Sequence, residues 1–131
     1  MELINKIIHL EKRLLARSEP VENLIHLIDD EFIEFSSSGA VYDKIEAGRW
    51  LAEKNSSEIK GVEFEAKCLS EEIILLAYIS EIRPNPFSNA KFARRVSIWR
   101  KNKDRWQMVF HQGLSLDKKN LPTQVENKSF E

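Results

Sequence analysis

The stretch FARRVSIWRKNKDRWQMVFHQGLSL, residues 92–116, constrains the fold more than any other part of the chain. Apolar and polar side chains alternate on both sides of a short polar turn at 102–104, which predicts two long antiparallel strands. A turn centred on Lys103 and Asp104 sets Trp99 opposite Met108, Ser97 opposite Phe110 and Arg95 opposite Gln112. Strict alternation then gives one face of Arg95, Ser97, Trp99, Trp106, Met108, Phe110 and Gln112. That face is bulky near the turn and polar at its far end. Such a gradient suits a cavity with an apolar wall and a polar end, or a plain core from which Arg95 reaches solvent. The other face carries Arg94, Val96, Ile98, Arg100, Gln107, Val109 and His111. It is too apolar for a simple solvent face and suggests contact with a partner. His111 belongs to that surface unless a bulge reverses it.

Residues 2–17 show helical periodicity. Leu3, Ile4, Ile7, Ile8, Leu10, Leu14 and Leu15 form one stripe. Glu11 falls near the middle of this stripe, where a carboxylate must be paired or hydrogen-bonded. Two roles fit it: a structural ion pair with an arginine, or a carboxylate lining a pocket with a raised pKa. Ser18 as cap and Pro20 in the first turn predict a second helix over 19–28. Short strands follow at 32–35 and 40–42. Asp43, with Glu46 three residues on, forms a capping box for a third helix that ends at 55–57. Gly48 on that helix implies close packing, and Trp50 closes one end of the core.

Residues 62–69 alternate, with Val62, Phe64, Ala66 and Cys68 facing inward. Residues 73–79, IILLAYI, are apolar on both faces. Local helices cover one side of a small sheet, so the other side needs a second subunit. Helices followed by a run of antiparallel strands make an α+β domain over residues 1–116. Its curved sheet carries the helices on the concave side, and residues 117–131 form a polar, frayed tail.

At 131 residues with a formal net charge of −1, the chain makes one domain without the basic field that phosphate binding needs. No nucleic-acid partner is expected. Charged residues interrupt the apolar N-terminal stretch, so neither a membrane span nor a signal segment is expected. A single cysteine, Cys68, allows no intrachain disulfide and favours a reducing, cytoplasmic setting. His9, His26 and His111 lie on separate elements without ligand spacing, so no metal is expected. Nor is a cofactor expected, since the four glycines are isolated and form no phosphate loop.

EFIEFSSSGAVYDK (residues 31–44) and RVSIWRKNKDRWQMVFHQG (residues 95–113) resemble segments of the nuclear transport factor 2-like (SnoaL-like) superfamily, in an uncharacterised branch. The resemblance covers residues 3–116. It implies a cone-shaped, cystatin-like α+β fold with a pocket between three helices and the concave sheet, and often a homodimer through the outer sheet face. The superfamily includes ketosteroid isomerase-like and polyketide cyclase-like enzymes, and also binding and assembly domains, so fold alone selects no activity.

The candidate pocket residues are Glu11, Tyr42, Arg95, Ser97, Trp99, Met108, Phe110 and Gln112. Glu11, Arg95 and Gln112, with Ser97 and Tyr42, form the expected polar cluster. It either clamps the first helix to the sheet or holds the polar head of a small apolar ligand. Three functions remain open: a homodimeric binding domain, a pure assembly module, or a small-molecule enzyme with Glu11 as base and Arg95 or Tyr42 stabilising negative charge.

Overall fold

The computed structural model describes residues 1–53 and 58–122. Three helices, α1 (Glu2–Ala16), α2 (Val21–Leu24) and α3 (Lys44–Ala52), cover one face of a single sheet. Its strands are β1 (Ile28–Phe35), β2 (Val41–Tyr42), β3 (Glu58–Ser70), β4 (Ile73–Arg83), β5 (Lys91–Asn102) and β6 (Arg105–Leu116), in the order β2-β1-β6-β5-β4-β3. The class is α+β, as the order of elements predicts. One pairing departs from an all-antiparallel sheet: β1 runs parallel to β6.

The stripe on α1 buries Ile7, Leu10, Glu11, Leu14 and Leu15. The helix stops at Arg17, whose left-handed backbone (φ 48°) lets its N–H bond the Arg13 carbonyl. The second helix is much shorter than the predicted 19–28. Pro20 is its N-cap, residues 25–27 tighten into a 3-10 turn, and Ile28 already belongs to β1. Helical periodicity there is overridden because Ile28 pairs with Met108 in the sheet. The capping box of α3 is present as read, with Asp43 accepting from the Glu46 N–H. A Cβ on Gly48 would stand 3.2 Å from Ile25, so the glycine sets the close approach of α3 to the turn after α2. The predicted helix end at 55–57 lies outside the described residues. Trp50 is exposed, with the Arg17 guanidinium 4.0 Å above its ring.

Of the four register shifts in the described strands, two bulges move side chains to a face other than the one strict alternation gives. In β3, Glu63 adopts φ 56° and the register slips between Val62 and Glu65. Val62 therefore packs on the outer face beside Ile79, while Phe64 stacks on Tyr78 inside. Cys68 stands opposite the inward-facing Ile74 but is exposed, so it does not pack in the core. The second bulge lies in β6, where Trp99 pairs with Met108 but Ile98 pairs with Phe110, leaving Val109 as the extra residue. The chain after β6 does not fray at once. A 3-10 turn carries Leu121 onto Ile79 and Phe92, where it is buried. Residues 123–131 lie outside the described residues.

On the outer face, Asp29 is 2% exposed and accepts both Nε–H and Nη2–H of Arg100, at 3.1 and 2.8 Å. Its Oδ1 also accepts the Glu31 N–H. Burial pushes its pKa up, but the Arg100 and Glu31 bonds and the charges of Arg100 and Lys44 outweigh that and leave it lowered. Asp29→Ala is expected to lose about 1–3 kcal/mol, read from urea unfolding at neutral pH. The depressed pKa means this contribution is present at neutral pH. It disappears as pH falls from about 3.8 through the lower folded value.

Candidate functional site

Between the helices and the inner sheet face lies a cavity of about 650 Å³. Leu14, Leu15, Ile28, Phe32, Leu51 and Met108 form its apolar wall. Glu34, Tyr42, Tyr78, Arg95 and His111 converge at its polar end. Neighbouring strands supply these groups: Glu34 is paired with Tyr42 on β2 and with His111 on β6.

Glu11 is 1% exposed in the wall of this cavity. Three donors meet it: Tyr78 Oη–H at 2.6 Å and Ser97 Oγ–H at 3.0 Å on Oε2, and Trp99 Nε1–H at 2.9 Å on Oε1. An indole can only donate, so the set matches an acceptor. Burial raises the Glu11 pKa, against the three hydrogen bonds and the Arg95 charge that lower it. The Tyr78 phenol is raised well above its usual value by burial and by Glu11.

The polar chain continues in one direction. Ser97 has one hydrogen and gives it to Glu11, so at 2.7 Å its oxygen must accept from His111 Nδ1–H. His111 Nε2 is then the lone-pair nitrogen and accepts from Arg95 Nη1–H at 3.2 Å. This needs a neutral ring. Burial, helped by the Arg95 charge, pushes the His111 pKa down to about 3. The 3.8 Å approach of His111 to Glu11 is therefore not an ion pair at neutral pH. Arg95 Nε–H is held by Ser80 at 2.7 Å. Its guanidinium lies over Gly113, where a Cβ would stand 3.2 Å from Nη1. Glycine at 113 gives the arginine its seat.

Of the eight sequence candidates, six share the inner face. Glu11, Tyr42, Arg95 and Met108 line the cavity, and Ser97 and Trp99 are fully buried behind it as Glu11 donors. Phe110 and Gln112 are corrected: the Val109 bulge turns both to the outer face, where Phe110 packs edge-on against Phe35. The same bulge brings His111 inside. Glu11 and Arg95 do not touch; Ser97 and His111 connect them. Sequence reasoning missed Tyr78, Ser80, His111 and, as a cavity residue, Glu34. For Tyr78 and Ser80 a signal existed, because both alternate with Leu76 along β4 and face inward. Among the described residues no cluster of three or more His, Cys, Asp or Glu could hold a metal. No described helix is long and apolar enough to cross a membrane.

No family model matches the chain, and no curated protein matches it. Solved structures do. An NTF2-like protein from Cytophaga hutchinsonii superposes with TM-score 0.73 at 14% identity, over 88% of this chain and 100% of that one. A domain of unknown function with a cystatin-like fold from Nostoc punctiforme gives 0.73 at 9% identity, over 96% and 91%. The association domain of C. elegans CaMKII gives 0.69 at 16% identity, over 86% and 92%. At these identities the likeness speaks for architecture alone. Helix order, sheet order and helix-covered cavity together give the chain the NTF2-like, cystatin-like α+β fold of proteins of unknown function.

Proposed function

We propose that this chain is a non-catalytic, cytoplasmic binding domain. It takes a small molecule with an apolar body and a polar head into the cavity, and it works as a homodimer joined through the outer sheet face. The cavity carries the first half of this reading: a large apolar space ends on Arg95, a fixed guanidinium. Glu11 supports binding over catalysis. Three of its roughly four lone-pair positions are occupied by buried donors, which suits a structural carboxylate better than a proton acceptor. The outer face supports self-association. Ile33, Phe35, Val41 and Leu114 are 42–61% exposed there, beside half-buried Val96, Ile98 and Phe110. Two of the similar structures are described as association domains, which fits an assembling surface. Exposed, unpaired Cys68 suits a reducing compartment.

Native mass spectrometry of the freshly purified protein tests both halves. A dimer is expected, with a retained small molecule when the endogenous ligand co-purifies. A bare monomer at micromolar concentration would overturn the assembly half. Phe35→Glu sets a charge on that face without opening the core, because Phe35 is 42% exposed. The variant is expected to weaken dimerisation at least ~100-fold in analytical ultracentrifugation while its melting as a monomer barely changes.

A further inference from the structure

Two opposite charges share the polar end of the cavity, and their balance limits what can bind. Arg95 holds Ser80 with Nε and His111 with Nη1, and both partners are neutral. Nη2 bonds none of the described residues and is not a buried orphan, so this edge faces the cavity the guanidinium lines. Glu34 enters from β1. It is half-buried and accepts no hydrogen bond from the described residues. Burial raises its pKa, against the pull of the Arg95 charge.

The groups around Glu34 settle the charge count. Glu11 faces it from α1, Tyr42 from β2, Tyr78 from β4, Arg95 from β5 and neutral His111 from β6. At the rim, Glu46 and Arg49 of α3, Glu53 beside them and Lys91 of β5 are two acids and two bases that offset each other. Arg95 is thus the one cation in the depth of the cavity, and ionised Glu34 already balances it, with the Glu11 carboxyl acting in the same direction when it is charged. An incoming anion meets an excess of negative charge whether Glu11 is ionised or neutral. In a low-dielectric site that repulsion is relieved by proton uptake. A protonated Glu34 also gains an O–H that can donate to the second oxygen of a carboxylate whose first oxygen rests on Arg95.

We infer that the cavity receives an organic acid with an apolar body, its carboxylate docking on Arg95 while one proton from solvent settles on Glu34. The inference rests on the cavity reading above and names its ligand class. The balance is simple: ligand anion plus one proton enter together, and the net charge of the site is unchanged. Leu14, Phe32, Leu51 and Met108 then surround the apolar body.

Titration calorimetry of the full chain with decanoate and naphthylacetate, each beside its neutral amide, tests this. Acids are expected to bind better than amides at about pH 6, with affinity falling up to roughly tenfold per pH unit above the Glu34 pKa. Paired buffers of different ionisation enthalpy are expected to report uptake of close to one proton there. Glu34→Gln is expected to bind the acids more tightly at about pH 8 and to lose the pH slope. Arg95→Gln is expected to weaken the acids at least ~100-fold and leave the amides little changed. Acid affinity in the native protein that stays flat between about pH 6 and pH 8 would overturn the coupling. So would a slope that survives in Glu34→Gln. Amides preferred over acids would overturn the Arg95 anchor. If no probe of either kind binds, the cavity reading beneath the inference falls. The native pH series needs no variant, so it decides the matter even if a substitution at Arg95 unfolds the chain.

Discussion

Glu11→Ala is expected to destabilise the fold by about 3–5 kcal/mol, because it strands several buried donors at once. Tyr78 Oη–H, Trp99 Nε1–H and Ser97 Oγ–H all end on this carboxylate, and Trp99 and Ser97 are fully buried. Ser97 cannot turn its hydrogen to His111, because the histidine Nδ1 already carries one, and the indole donates to no other acceptor among the described residues. Glu11→Gln keeps the shape and one acceptor oxygen, so a smaller loss of about 1–2 kcal/mol is expected at neutral pH. Urea unfolding monitored by circular dichroism reads both.

The two variants also differ in their response to acid. The Glu11 pKa is raised above 4.5 in the fold, so the folded state binds its proton more readily than the unfolded chain does. Its contribution is fully present below about 4.5 and is lost as pH rises through the folded value. The native protein should therefore gain stability relative to Glu11→Gln as pH falls from neutral toward that range. A constant difference between the two across the series would mean that Glu11 titrates normally and that its burial is less complete than the geometry states.

Deleting Val109 is expected to cost less than about 2 kcal/mol, well under the 5–15 kcal/mol typical of a domain. Val109 is the extra residue of the β6 bulge, with Trp99 opposite Met108 and Ile98 opposite Phe110 on either side of it. Without it, Phe110 follows Met108 directly, strict alternation returns, and each later side chain keeps its partner and its face. His111 stays inside against Ser97, and Arg95 keeps Gly113 opposite it. Guanidinium unfolding followed by tryptophan fluorescence tests this, since Trp99 and Trp106 are both buried in the core. A deletion variant that unfolds far below the native midpoint would show that the local bend of the bulge itself carries much of the stability.

That bulge marks the boundary of what local sequence can determine here. The helical stripe of α1, the capping box at Asp43, the turn at 103–104 and the pairing of Trp99 with Met108 all follow from periodicity and short-range chemistry. So does the buried position of Glu11, which stands inside an apolar stripe whatever packs against it. Its partners do not follow. Tyr78, Ser97 and Trp99 lie 67, 86 and 88 residues away, and only the assembled sheet brings their donors together.

The face on which His111 stands was decided by tertiary structure. Both registers satisfy the alternation up to Met108, and nothing within β6 itself says where an extra residue enters. The choice falls to the cross-strand partners: the inserted residue lets one neutral histidine donate to Ser97 and accept from Arg95, and seats the arginine on glycine. A helical or strand period is fixed by the few residues that repeat it. A bulge is fixed by the hydrogen bonds that the whole fold must complete.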